Sequence, residues 1–331
     1  MAMVEQNISG VKLEKLRQKA NKKTKFMHRM PIIVFIICLL LSMLKPRNIG
    51  LFFIFKSGED IDIGNIGIGI LMLFGEVMLA FCMAALAFAI YMLLFWKKSY
   101  NLFNDNYKNK YVLQKMREVR GFSNLRYVPK HGITFLELEK ANLLPGRAKS
   151  FFESKDYFEG TYDTIRFWSS NVETFENNDS AMAVFSGQVI VFSMFHEFKI
   201  SQTAIQIFPK KENKKMKGLT FPIKIETENE SFHNMFSVFA EEEHNAFYIL
   251  TPQVIEDIME FAQMINENIY IVFIGQYMYV GCEQMRNPFD ALVDVPLEEQ
   301  TQNIVKATDL IQKARDILIH IEKQSHAEKA N

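Results

Sequence analysis

Two stretches near the start of the chain are apolar on every side, whereas the rest alternates between apolar and polar positions. Pro31 to Leu44 reads PIIVFIICLLLSML, a run that as a helix covers ~21 Å of a roughly 30 Å hydrocarbon core. Phe26 to Met30 complete the crossing if His28 and Arg29 carry their charges to the headgroups. The second run, Ile66–Trp96, is longer than one crossing needs and holds a single charge, Glu76. Within it Val77–Phe95 is long enough to span, with Trp96 at the aqueous boundary. The pattern predicts a transmembrane hairpin over 31–96, with helices at about 26–44 and 70–96 and an outer connection at 45–65. Ala80, Ala84, Ala85 and Ala89 form a small-residue face expected to pack on the first helix.

Beyond the hairpin, Tyr100, Phe103, Tyr107 and Tyr111 recur at helical spacing among lysines and asparagines. They predict an amphipathic stalk lying near acidic headgroups, within a juxtamembrane stalk and linker over 97–150. A second helical piece, about Ile133–Leu144, stops at Pro145-Gly146. From Tyr157 the period shortens to two, and strands are expected at Thr161–Trp168, Ala181–Met194, Thr203–Phe208, Leu219–Ile225, Phe236–Ala240 and Phe247–Leu250. Thr251-Pro252 opens a helix with an N-cap followed by proline at the first turn. Ile269–Ile274 and Tyr277–Cys282 read as a hairpin closed by Gly275-Gln276, with Ile269, Ile271 and Phe273 facing Cys282, Val280 and Met278. A last helix, about Pro296–Gln324, carries one apolar stripe from Ile304 to Ile321 that is too wide for a coiled-coil seam and is expected to dock on the sheet. The fold class is therefore an N-terminal two-helix transmembrane hairpin followed by a cytosolic α+β domain, over 151–331, with a mainly antiparallel sheet and a long C-terminal helix.

Charge orients this arrangement. The whole chain carries no net charge, but residues 1–120 hold eighteen Lys and Arg against eight Asp and Glu, while 121–331 hold twenty against thirty. The leader 1–30 and the stretch 97–120 are basic and the 45–65 connection is balanced, which places both termini on the cytoplasmic side. A secretory signal fits badly, because the charged leader is about thirty residues long and Ile37 stands before Cys38. An acidic soluble region is also a poor partner for nucleic acid. The three cysteines, Cys38, Cys82 and Cys282, make no disulfide framework, and Cys282 reads as a core thiol.

Candidate chemistry is sparse. Glu241, Glu242, Glu243 and His244 form a dense polar cluster, with Glu241, Glu243 and His244 as metal-ligand candidates for a metal-assisted hydrolase. Adjacent residues on an extended chain diverge, however, and a solvated hairpin tip is the preferred reading. Lys210, Lys211, Lys214, Lys215 and Lys217 read as the tip of a hairpin between Phe208 and Leu219, or else as a basic finger on anionic lipid; Lys97 and Lys98 are further lipid candidates. Glu76 pairs with Lys45 or Arg47 at the outer boundary, or serves an ion path in a transport subunit. His196, beside Glu197, is the polar end of a double-faced apolar strand, VFSGQVIVFSMFHEF, in which Gly187 makes room for a bulge or a large neighbour. The glycines of GNIGIG at Gly64–Gly69 lack a preceding strand and do not read as a phosphate loop. No catalytic residue and no cofactor emerge.

Several of these segments resemble a known family. Asp156-Tyr157-x-x-Gly160-x-Tyr162, Phe185-x-Gly187, the later Phe192, Phe195 and Phe198, and Ile249-Leu250-Thr251-Pro252 follow two apolar helices in an order similar to the bacterial membrane-protein family catalogued as domain-of-unknown-function family 3137. The resemblance covers about Arg29 to Phe289. It implies a two-helix anchor in the bacterial cell membrane and a cytosolic α+β domain, with no established activity, cofactor or catalytic residue. Relatives tend to be encoded beside small membrane proteins of the LemA type, which implies an envelope-associated complex. A homo-oligomer is compatible with the same pattern. The expected role is a membrane-anchored interaction or scaffold domain.

Overall fold

The computed structural model describes residues 9–43, 63–146, 152–177, 182–193, 204–284 and 286–329. His196, Glu197, Lys45, Arg47, Phe195 and Phe198 lie outside the described residues. The chain divides into two compact units, one of Ile8–Asn106 with Leu292–Leu297, the other built from Tyr107–Ala291 and Glu298–Asn331.

In the helix unit, α1 runs from Gly10 to Met43, starting well before residue 26, with Pro31 inside it. Helix α2, Ile63–Tyr91, continues through a π-helical turn at Met92–Trp96 into α3, Lys97–Asn106. The small-residue face packs in part as expected: where α1 lies along α2, Ala80 and Ala84 are buried and Ala89 is half-buried, but Ala85 is exposed. Phe26 meets Tyr91 with ring centroids 5.1 Å apart, and the Trp96 indole donates to Thr24 Oγ1 at 2.9 Å. Large apolar side chains are exposed along the C-terminal part of α1 and along α2; Ile32, Ile36, Leu40, Leu71, Phe74 and Leu79 are each at least half exposed. Among the described residues one helical stretch, Phe74–Glu118, is long and apolar enough to cross a membrane by length and composition.

The second unit is built on a nine-stranded sheet in the order β1-β2-β3-β4-β9-β8-β5-β7-β6, antiparallel at every pairing. Its strands are β1 Phe122–Val128, β2 Glu153–Tyr162, β3 Ile165–Thr174, β4 Phe185–Ser193, β5 Ala204–Pro209, β6 Ile223–Ile225, β7 Phe236–Ala240, β8 Ile269–Ile274 and β9 Tyr277–Glu283. Strand β4 sits centrally and is buried on both faces, as its double-sided apolar pattern requires. Helix α5, Phe135–Ala141, capped by Thr134, covers one face with Val172, Phe185, Val189, Val191, Tyr270 and Val272 beneath it. The opposite face carries Phe158, Phe167 and Phe192 in ring contact. Onto it the long helix α9, Leu297–Lys329, docks through its buried stripe, with Arg315 stacked 5.3 Å over Tyr162 and paired to Asp163 at 2.8 Å. Helix α8, Pro252–Ile265, begins at the expected Thr251-Pro252 step.

The β8–β9 hairpin has the register read from the sequence: Ile269 opposite Cys282, Ile271 opposite Val280 and Phe273 opposite Met278, with Gly275 at φ 59°. Other expectations need correction. Thr161–Trp168 straddles the Asp163-Thr164 turn between β2 and β3, since Asp163 takes a left-handed conformation. Phe247–Ile249 belong to helix α7, Glu243–Ile249, with Leu250 at its C-terminal cap, and form no strand. Phe208 and Leu219 do not flank a hairpin: β7 intervenes between β5 and β6, so the lysine-rich segment is a crossover between two parallel strands. The stretch read as stalk and linker contains β1, which pairs with β2. The aromatic stripe of the stalk is buried in protein, with Phe103, Tyr107 and Tyr111 all enclosed and Tyr111 bonded to Thr301 at 2.8 Å.

Candidate functional site

The densest buried polar constellation of the sheet unit gathers around Asp156. The β2–β3 register shifts between Lys155 and Phe158, so β2 bulges there, and Asp156 sits in the bulge at φ 59° with its amide donating to Pro129 O at 3.0 Å. Aspartate tolerates this left-handed conformation better than most side chains. Its carboxylate is completely buried and accepts from Lys108 Nζ at 2.8 and 3.0 Å, from the Tyr127 hydroxyl at 2.5 Å and from Asn287 Nδ2 at 2.5 Å. Lys108, in a π-helical turn at Tyr107–Val112, also donates to Asp290 Oδ1 at 3.2 Å. Burial first, and then the Asp156 charge, push the Tyr127 phenol far above its ordinary range, so it acts as a neutral donor. Phe158 and Phe289 wall the phenol at 6.3 and 6.0 Å. Each Asp156 oxygen is met by donors from other elements, and the arrangement locks the 107–112 turn, β1, β2 and the loop after β9 together.

A second cluster lies at the far end of β9. Asn268 Nδ2 donates to Glu283 Oε2 at 2.7 Å and to Glu212 Oε1 at 3.4 Å, and the Tyr270 hydroxyl donates to Glu283 Oε1 at 3.3 Å. Burial, and next the Glu212 charge, raise the Glu283 carboxyl above its ordinary value. Glu212 is itself paired with Lys215 at 2.7 Å. Elsewhere His320 of α9 contacts Asp257 of α8, which also accepts from Gln253. A cavity of about 260 Å³ beside α5 is lined by Phe135, Leu138, Asn142, Leu144, Phe152 and Leu219.

The residues singled out from sequence fall differently. Glu241, Glu242, Glu243 and His244 are all exposed at the start of α7, and among the described residues no three His, Cys, Asp or Glu side chains converge as metal ligands. Lys210, Lys211, Lys214, Lys215 and Lys217 are exposed, but Glu212 and Met216 between them are buried, so the segment is anchored and not a free tip. Lys97 and Lys98 are exposed at the start of α3. Of the motif residues, Asp156 forms the lock, Tyr157 donates to Glu159 at 3.0 Å, and Tyr162 packs on Phe122 at 4.8 Å. Gly160 lies against Leu125 and the Ser123 carbonyl, Phe185 meets Tyr270 edge-on, and Thr251 and Pro252 start α8. A Cβ at Gly187 would lie 2.0 Å from the Cys282 carbonyl oxygen, so that glycine admits the backbone of β9, not a bulge or a bulky neighbour. Cys282 is fully buried, and burial pushes its thiol up. Glu76 is half-buried on α2.

These positions have a counterpart in known sequences. Residues 183–318 match the family described as protein of unknown function (DUF3137). The matched DUF3137 segment runs from β4 into α9; it contains Asn287 and Asp290 of the lock and the whole Glu212–Glu283 cluster, while Lys108, Tyr127 and Asp156 precede it. No curated protein and no solved structure matches the chain. The lock was not foreseen because its members are separated by up to 182 residues; the signal within reach was the Asp-Tyr step, where a charged residue interrupts a strand.

Proposed function

We propose that this is a membrane-anchored bacterial envelope protein whose sheet unit faces the cytosol and serves as an interaction or scaffold domain. One observation carries the reading: the helix unit displays a belt of exposed large apolar side chains, from Ile32 to Leu40 on α1 and from Ile70 on α2 to Phe95 in the π-helical turn. Water would not leave such a surface uncovered, and a bilayer is the solvent that suits it. The basic content of 1–30 and 97–120 supports a cytoplasmic placement of both termini. In the sheet unit the polar constellations are engaged in holding elements together, which supports a binding role over a catalytic one, and a LemA-type envelope protein is the partner to test.

The test is fractionation followed by topology mapping. The chain should stay with the membrane pellet through alkaline carbonate, and a green fluorescent protein fused after Asn331 should fluoresce. Release by carbonate, or an active alkaline phosphatase fusion at the same point, refutes the anchor or its orientation respectively. Affinity capture from detergent extracts should then retain an envelope protein in stoichiometric amount.

A further inference from the structure

We propose that the helix unit holds one anionic phospholipid, with an acyl chain in a groove between α1 and α2 and its phosphate against Lys25, His28 and Arg29. The proposal rests on the membrane reading above. The groove has a volume of about 420 Å³ and is walled by Pro31 and Phe35 of α1 and by Phe81, Ala84, Ala85 and Phe88 of α2. That is within the roughly 300–1,000 Å³ of small-molecule sites, and no polar side chain lines it. It exists because Ala84 and Ala85 are short while the phenylalanines on either side stand out from the helices.

The charge that complements such a ligand lies directly beyond one end of the groove. On a helix, positions three, four and seven residues apart share a face. His28 therefore lies one turn from Pro31 and Ile32, Arg29 lies beside it, and Lys25 lies two turns from Ile32. Along the axis these three stand ~3–10 Å from the groove, and all three are exposed. Between Glu14 and Glu59 the sequence contains no Asp or Glu, and Glu14, the acid on α1, is paired with Arg17 at 2.6 Å, so it does not offset that cluster. A phosphodiester seated there meets cations while its chain meets only hydrocarbon. A zwitterionic lipid would bring its ammonium toward the same cations. A second copy in the same membrane would place its own Lys25, His28 and Arg29 at equal depth, where like charges repel.

The experiment reconstitutes the full chain in phosphatidylcholine nanodiscs doped with chain-spin-labelled phosphatidylglycerol or phosphatidylcholine. Phosphatidylglycerol should show an immobilised fraction several-fold larger than phosphatidylcholine. Lys25→Gln, His28→Gln and Arg29→Gln together should abolish the preference. Ala85→Trp, which fills the groove on the side away from the buried Ala80 and Ala84 contact, should remove the immobilised component, with helicity unchanged by circular dichroism. Equal immobilisation of the two lipids, or indifference to both sets of changes, overturns the proposal. So does an immobilised fraction that disappears as copies self-associate, which would assign the groove to a second chain. Carbonate release of the protein sinks the membrane reading and the lipid site together, whereas retention without lipid preference sinks the lipid site alone.

Discussion

Changing Asp156 to Asn should destabilise the sheet unit more than any change of an exposed charge. Asp156 is 0% exposed, and the Lys108 side chain opposite it only 12%. Removing one partner from a buried ion pair costs roughly 3–5 kcal/mol, because the remaining charge keeps its desolvation penalty. Asp290, 3.2 Å from Lys108 and 41% exposed, offsets part of that cost, so the lower end is expected, about 3 kcal/mol. Asparagine tolerates the left-handed backbone, which isolates the charge effect; alanine at the same place, with no polar side chain to support that conformation, should lose a further ~1–2 kcal/mol. For a unit of this size 1 kcal/mol moves Tm by roughly 2–4 °C, so Asp156→Asn should lower it by about 6–12 °C. Thermal unfolding of the detergent-solubilised chain, followed by tryptophan fluorescence, reads this directly. Lys108→Met should cost a similar amount, and the double variant clearly less than the sum. A shift below about 2 °C for Asp156→Asn, or strict additivity of the pair, would refute the lock.

Three other outcomes follow from the same packing. Gly187→Ala should abolish stable expression, because the methyl meets the Cys282 carbonyl and β9 must move, whereas Gly275→Ala, which meets open space at a positive φ, should cost only ~1–2 kcal/mol in chemical denaturation. Since the folded Glu283 carboxyl titrates above its unfolded value, its protonated form adds stability at acid pH that is lost as pH rises through the folded value. Glu283→Gln should therefore gain in Tm relative to the native chain between the ordinary carboxylate range and neutrality, and a constant difference across that range would contradict it. Cys282 should resist a maleimide under native conditions and react only on unfolding, as judged by mass spectrometry of the labelled peptide.

Local features were the most legible. Gly275-Gln276 specified a two-residue hairpin, and alternation on each side determined its register residue by residue. The stripe on α9 was wide enough to demand a broad docking face, and it found one. The misreadings arose where the deciding contact is distant. Phe247 to Leu250 has strand-like composition, yet after β7 it folds back as α7, with Ala246 and Ile249 buried. Lysines 210 to 217 look like a solvated tip because each is exposed. The two residues that pin the segment, Glu212 and Met216, are outnumbered by the lysines around them.

Asp156 shows why a short motif and a site are different objects. An Asp-Tyr step in an otherwise pairing-competent strand advertises a bulge, because a charged residue cannot lie buried in a regular ladder without a partner. What the bulge serves depends on Lys108, Tyr127 and Asn287, whose positions along the chain have no fixed spacing that a pattern could encode. A second irregularity explains Gly160: β1 carries an extra residue between Ser123 and Arg126, and Leu125 there comes so close to β2 that a Cβ at Gly160 would lie 2.5 Å from its side chain. The aspartate and the glycine thus answer two neighbouring irregularities, one in β2 against β3 and one in β1 against β2, which makes the motif a signature of how β1, β2 and the loop after β9 are joined. Its presence in another chain would therefore predict a lysine and an asparagine meeting that aspartate, and would by itself predict no chemistry.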